Sequence, residues 1–203
     1  MTHTGTQPED QKRGEENSTA GTTNCGAAFN ARKVILLSYS CRVVGARNVE
    51  SNCRLGLRSV LRHCAVGAGR LLLSDTQTGL QITPQLVGLP PGDHGFHAHA
   101  NPNCGPGPGP NGQPAAGMAA GGHYDPANTG KHLGPYGEGH KGDMPVLTVD
   151  ASGNATKAVA VSHLTVADVK GRSIMIHAGG DNYSDQPAPL GGGGARIACG
   201  VAK

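Results

Sequence analysis

The stretch "HGFHAH", residues 94–99, sets three histidines into six positions built like a β-strand. Strand side chains alternate between faces, so His97 and His99 point the same way, about 6.6 Å apart, while Phe96 and Ala98 point the other way. The reading is a strand with one apolar face for a core and one imidazole face. Two imidazoles held in this way can share a metal ion; the alternative is a surface strand with solvated histidines.

Outward from this stretch the same alternation recurs in "GLQITPQLVGLP" (79–90), "MPVLTVDASG" (144–153), "NATKAVAVSH" (154–163), "SIMIHAGG" (173–180) and "ARIACGVAK" (195–203). Turn-forming residues bound each run. The chain has 203 residues with 33 Gly and 14 Pro, above average usage, and suits one all-β domain of short strands arranged as a sandwich or barrel. "DASGN" at 150–154 predicts a hairpin, entered by 146–149 and left by 156–161. Residues 101–142 and 179–194 break the pattern, and structureless stretches of that length inside a compact domain are commonly functional loops.

The N-terminal third is different. Residues 1–69 show no sustained period, their polar start reads as poorly ordered, and the division expected is an atypical segment at 1–69 and a β-domain at 70–203. Leu55, Leu57, Val60 and Leu61 suggest a short amphipathic helix. "RKVILLSYSC" at 32–41 is the nearest approach to an export signal, but it lies far from Met1 and lacks a small-x-small cleavage site. Residues 1–70 carry 10 Lys and Arg against 5 Asp and Glu, whereas 71–203 carry 7 against 9. This basic excess has no aromatic interleaving or recognisable nucleic-acid motif, so no nucleic-acid partner is expected. No apolar run is long enough for a membrane span. Cys25, Cys41, Cys53 and Cys64 form no Cys-x-x-Cys pair and receive no role.

His94, His97, His99, His123, His132 and His140 crowd into residues 94–140, and His177 follows on a later strand. Within one loop, His132, His140 and Asp143 stand close enough to wrap an ion, and nitrogen donors closed by one carboxylate suit tetrahedral zinc. His97, His99 and His177 lie on strands that fix imidazoles rigidly, and an all-nitrogen tetragonal set suits copper(II). His123 falls between the groups in sequence and is able to bind through both ring nitrogens. His94 reads as structural, its side chain bonded to loop backbone.

"GFHAH", "GGHYDP", "GKHLGP", "GHKGDMP", "MIHAGGDNYSD" and "GGGGARIACGV" follow one another along the chain. In that order they resemble copper,zinc superoxide dismutase of the bacterial type, over roughly two thirds of the chain. The resemblance implies an eight-stranded Greek-key β-barrel or sandwich with two long functional loops, with superoxide anion as substrate and copper and zinc as cofactors. It implies copper on His97, His99, His123 and His177 and zinc on His123, His132, His140 and Asp143, with His123 as the bridge and catalytic residue. It also implies Asp181 as the carboxylate linking a copper-bound to a zinc-bound histidine, Arg196 beside the copper channel, and a disulfide between Cys104 and Cys199. Asp181 has a second reading as an Asx-turn residue, Arg196 as a surface cation, and Lys131 and Lys141 are either contributors to a positive funnel or solvated loop lysines. Relatives of this type are periplasmic or exported and include monomers and dimers, so a homodimer is one expected state.

One departure stands out. The family's first strand has no counterpart before "RLLLSD", and residues 27–69 look foreign to it; the strand is read as missing or replaced, with residues such as 34–37 as a substitute. The second functional reading is therefore a non-enzymatic, superoxide-dismutase-like metal-binding protein with an incomplete barrel.

Overall fold

The structure, a computed structural model, describes residues 33–39 and 68–203. The expected helix positions Leu55, Leu57, Val60 and Leu61, and the cysteines at 25, 41, 53 and 64, lie outside the described residues. In chain order the strands are β1 (Lys33–Tyr39), β2 (Ala68–Thr76), β3 (Gly79–Leu86), β4 (Gly92–His94), β5 (Phe96–His99), β6 (Gly107–Pro108), β7 (Pro114–Ala115), β8 (Leu147–Val149), β9 (Val159–Val161), β10 (Ser173–His177) and β11 (Arg196–Val201). One short helix, α1 (Val166–Val169), starts at Thr165, whose hydroxyl accepts from the Asp168 backbone while the Asp168 carboxylate accepts from the Thr165 backbone. No described helix is long and apolar enough to cross a membrane.

Seven strands form one antiparallel sheet in the order β5-β10-β11-β1-β2-β3-β9. β4 and β5 are halves of one strand broken at Gly95, and β4 pairs with β8, which carries the wall onward. Residues 150–154 then lead β8 round to β9 at the far end of the large sheet. With the small β6–β7 ribbon set aside, eight strands wall the barrel, as expected.

One expectation needs correction. The turn at 150–154 forms, with Gly153 N donating to Asp150 O, but β8 and β9 do not make a hairpin ladder. They bond instead to β4 and β3 respectively, so the turn serves barrel closure. The first strand's place is filled by the run expected as its substitute, residues 34–37. β1 lies between β2 and β11, with Val34 opposite Leu72, Ser38 opposite Ala68, and Ser38 opposite Cys199 on the other side. The run "KVILLSY" suits a pleated strand, and its position pairs two edges that otherwise stay open.

Burial follows the two-residue period. On β3, Leu80, Ile82 and Leu86 point inward and Gln81 and Gln85 outward. With Leu71, Leu73, Leu147, Val149, Ile174 and Ile176 they build an almost wholly aliphatic core around Phe96. β5 and β10 depart from this rule, being buried at every position. Their inner face, Phe96, Ala98, Ile174 and Ile176, belongs to the core; their outer face carries the histidines, covered by the two long loops.

Candidate metal centre

Pairing between β5 and β10 sets His97 opposite Met175 and His99 opposite Ser173, placing His177 on the same outer face. A register shift between Ile176 and His177 brings His177 opposite Arg196 on β11. The first long loop returns to this face through isolated bridges between His99 and His123 and between His97 and Asp143. Tyr124 holds the junction: its N–H donates to Ala98 O, while its carbonyl accepts from Gly142 N. Gly142 is required there, since a Cβ would collide with the Ala98 carbonyl.

Two donor groups result. Ligand atoms of His97, His99, His123 and His177 lie within 4.8 Å of one another, as do those of His97, His123, His132 and Asp143. His140 stands at the edge of the second group, its Nδ1 3.5 Å from Asp143 Oδ2. Thus the histidines expected as ligands come to one region, with His97 as well as His123 belonging to both groups and His140 to neither.

Hydrogen bonds fix which ring nitrogen of each histidine remains available. His97 Nε2 donates to Asp181 Oδ2 (2.7 Å) and His132 Nε2 to Asp181 Oδ1 (2.8 Å), leaving Nδ1 of each ring facing the centre. His99 Nδ1 donates to Gly121 O (2.9 Å) and His177 Nδ1 to Gly194 O (3.4 Å), leaving Nε2 of each. Among the described residues, His97 Nδ1, His99 Nε2 and His177 Nε2 are buried without a hydrogen-bond partner, while His132 Nδ1 and His140 Nδ1 both turn to Asp143 Oδ2, at 2.8 and 3.5 Å. Unsatisfied buried polar atoms are costly and uncommon. Here these atoms converge on one region, with the donor chemistry and outward-facing partners that metal-ligating imidazoles need.

Electrostatics point the same way. Burial lowers His99 well below the ordinary imidazole value. Burial likewise takes His123 to about 4, against the pull of Asp143, and His177 to about 3, helped by His97 and His123. These rings are neutral, as ligands must be. Burial opposes charge on His132 too, but the carboxylates of Asp143 and Asp181 outweigh it and raise that ring to about 9. Burial also works against the charge of those carboxylates, yet their histidine partners hold both well below the ordinary range.

Asp181 joins His97 and His132 through hydrogen bonds. Besides bridging His97 and His132, its Oδ1 accepts from Tyr183 N (2.8 Å), an Asx turn that fixes the carboxylate. Gly191 packs against it in the left-handed region (φ 71°), where a Cβ would strike Asp181 Oδ1. Cys104 and Cys199 form the disulfide, fastening the first long loop to β11. Arg196, half-buried, donates from Nη1 to Gly117 O (2.8 Å) and from Nη2 to Gly121 O (2.7 Å), so that same loop orients its guanidinium. With His123 and His177 it lines a cavity of about 620 Å³.

Some partners were not legible beforehand. The carbonyls of Gly117 and Gly121 carry no side-chain signature. Lys141 is engaged by Asp168 (2.6 Å), whereas Lys131 is exposed. Arg172 stacks 3.5 Å over the Tyr124 ring beside His123. His94 lies where expected, its ring nitrogens 2.7 Å from His177 O and 2.8 Å from Pro90 O.

A β-barrel with two adjoining donor sets that share His97 and His123 defines a class of dinuclear metalloprotein. The family model for copper/zinc superoxide dismutase matches residues 68–202, and the chain belongs to that family. It is 55% identical over 136 residues to Cu-Zn superoxide dismutase 2 of Salmonella typhimurium and 52% identical over 136 residues to the Escherichia coli enzyme. Each match covers 66% of this chain and 78% of the relative. Among solved structures, the Cu/Zn superoxide dismutase from Brucella abortus superposes with a TM-score of 0.69 at 41% identity, covering 85% of this chain and 99% of that one. The monomeric enzyme from Salmonella enterica does so with 0.59 at 56% identity, covering 66% and 88%.

Proposed function

We propose that this chain is a superoxide dismutase, converting two superoxide anions and two protons into dioxygen and hydrogen peroxide. The observation that carries this reading is the convergence of buried imidazole nitrogens and one carboxylate in two adjoining groups, with the nitrogens His97 Nδ1, His99 Nε2 and His177 Nε2 left without a hydrogen-bond partner. His97, His99, His123 and His177 would hold copper, and His123, His132, His140 and Asp143 would hold zinc. When bound, copper supplies the one-electron couple the reaction needs, and zinc supplies a fixed charge without redox chemistry.

The chain's own residues do the rest. His123 shares its two ring nitrogens between the sites and holds a proton at Nε2 between the two halves of the reaction. Asp181 keeps the proton of His97 and of His132 on Nε2, away from the ligand atoms. Arg196 presents guanidinium donors to a small anion at the cavity floor. The loop fastened by Cys104–Cys199 keeps that guanidinium in place.

Residues 70–203 are the metal-binding unit in this reading, and β1 completes its wall. The disulfide and the bacterial relatives support an oxidising, periplasmic or exported location and an antioxidant role there. A homodimer is the assembly tested by sedimentation, one solved relative being described as monomeric. The non-enzymatic reading drew on an open barrel, which β1 closes. Titration of the full chain with each metal tests the proposal. One copper and one zinc per chain are expected, with dismutation only when copper is present; two metals bound without activity would refute it.

A further inference from the structure

We propose that the cavity above Arg196 binds an amphipathic monoanion, a short- or medium-chain carboxylate, with its head on the guanidinium and its tail along the cavity wall. Only the inhibitory consequence rests on the dismutase reading; the binding itself does not. The cavity measures about 620 Å³, the size of a small-molecule site and far more than a diatomic anion fills. Its floor is His123, His177 and Arg196, and its walls are chiefly apolar, with Pro110, Ala115, Met118, Leu190 and Ile197.

Arg196 is half-buried, gives two of its five N–H donors to backbone carbonyls, and forms no ion pair among the described residues. A cation so placed accepts a carboxylate head. Leu190, also lining the cavity, is 43% exposed and sits at φ 55°, a left-handed conformation costly for a branched side chain. An apolar residue is therefore held toward solvent at a strained position. Cation and apolar wall together match a head and a tail.

The test is calorimetric titration of the full chain, loaded with copper and zinc, using acetate, butanoate, hexanoate and octanoate at fixed ionic strength. Affinity is expected to rise about twofold to fourfold per methylene, and octanoate to compete with superoxide. Leu190→Ser should weaken octanoate severalfold while sparing acetate, and Arg196→Gln should weaken both. Equal binding of acetate and octanoate would overturn the proposal, as would octanoate binding indifferent to both substitutions. A chain that binds the series with this dependence yet dismutates no superoxide would uphold the site and overturn the function proposed above.

Discussion

Asp181→Asn changes one buried atom and is expected to affect the two metals unequally. In the native site three N–H groups meet one carboxylate: His132 Nε2 and Tyr183 N at Oδ1, and His97 Nε2 at Oδ2. Asparagine offers one acceptor oxygen and one NH2 group. With the oxygen in the Oδ1 position two of the three donors keep their acceptor, whereas the opposite orientation sets NH2 against two donors. The first arrangement wins, and the NH2 group then faces His97 Nε2. That clash is relieved when the His97 proton moves to Nδ1, the atom that otherwise faces the copper group. One charge-assisted hydrogen bond is lost in a site with both side chains fully buried, about 1.5–3 kcal/mol, or roughly 10- to 100-fold in affinity. Copper affinity should fall by this amount and zinc affinity by less, as read by competition with a chelator for each metal. Zinc weakened more than copper, or neither affected, would refute the reasoning.

Other outcomes follow from the same geometry. His123→Ala removes a donor from both sets and should uncouple copper from zinc; unchanged affinity for both metals ends the bridging role. Arg196→Ala should slow dismutation about tenfold or more and flatten its salt dependence while copper stays bound, and unaffected activity counts against the assignment. In the metal-free chain, buried His123 (about 4) and His177 (about 3) resist protonation below the ordinary 6.5, so stability should fall as pH drops from 6.5 through 3. His132, raised to about 9, contributes fully below 6.5 and loses its contribution as pH rises through 9. Denaturant titrations of the metal-free chain should show a maximum near neutrality, and a steady gain toward acid contradicts this. A version starting at Leu71 lacks β1 and leaves β2 and β11 as open edges. Its melting temperature should drop by roughly 10 °C or more, at about 2–4 °C per kcal/mol, and equal stability would mark the N-terminal third as an appendage.

The candidate donors were legible because their chemistry is local. His97 and His99 announce their common face through the two-residue period of a strand, and "GKHLGP" and "GEGHKGD" crowd their donors into one loop. What escaped the sequence depends on pairing between distant segments. The turn at 150–154 is plain, yet only the competing edges of β3 and β4 decide that its strands part company. By contrast, residues 34–37 within "KVILLSY" read as the substitute strand, and their place in the wall is between β2 and β11. The anchoring of Arg196 rests on backbone carbonyls, which any residue supplies. Asp181 makes the Asx turn that its sequence suggested and also bonds to His97 and His132.

The superoxide dismutation rate per bound copper, measured on the full-length chain loaded with copper and zinc, tests the central claim most directly. A second-order rate on the order of 10⁸–10⁹ M⁻¹s⁻¹ that declines with added salt is the expected result. A negligible rate with both metals bound would contradict it.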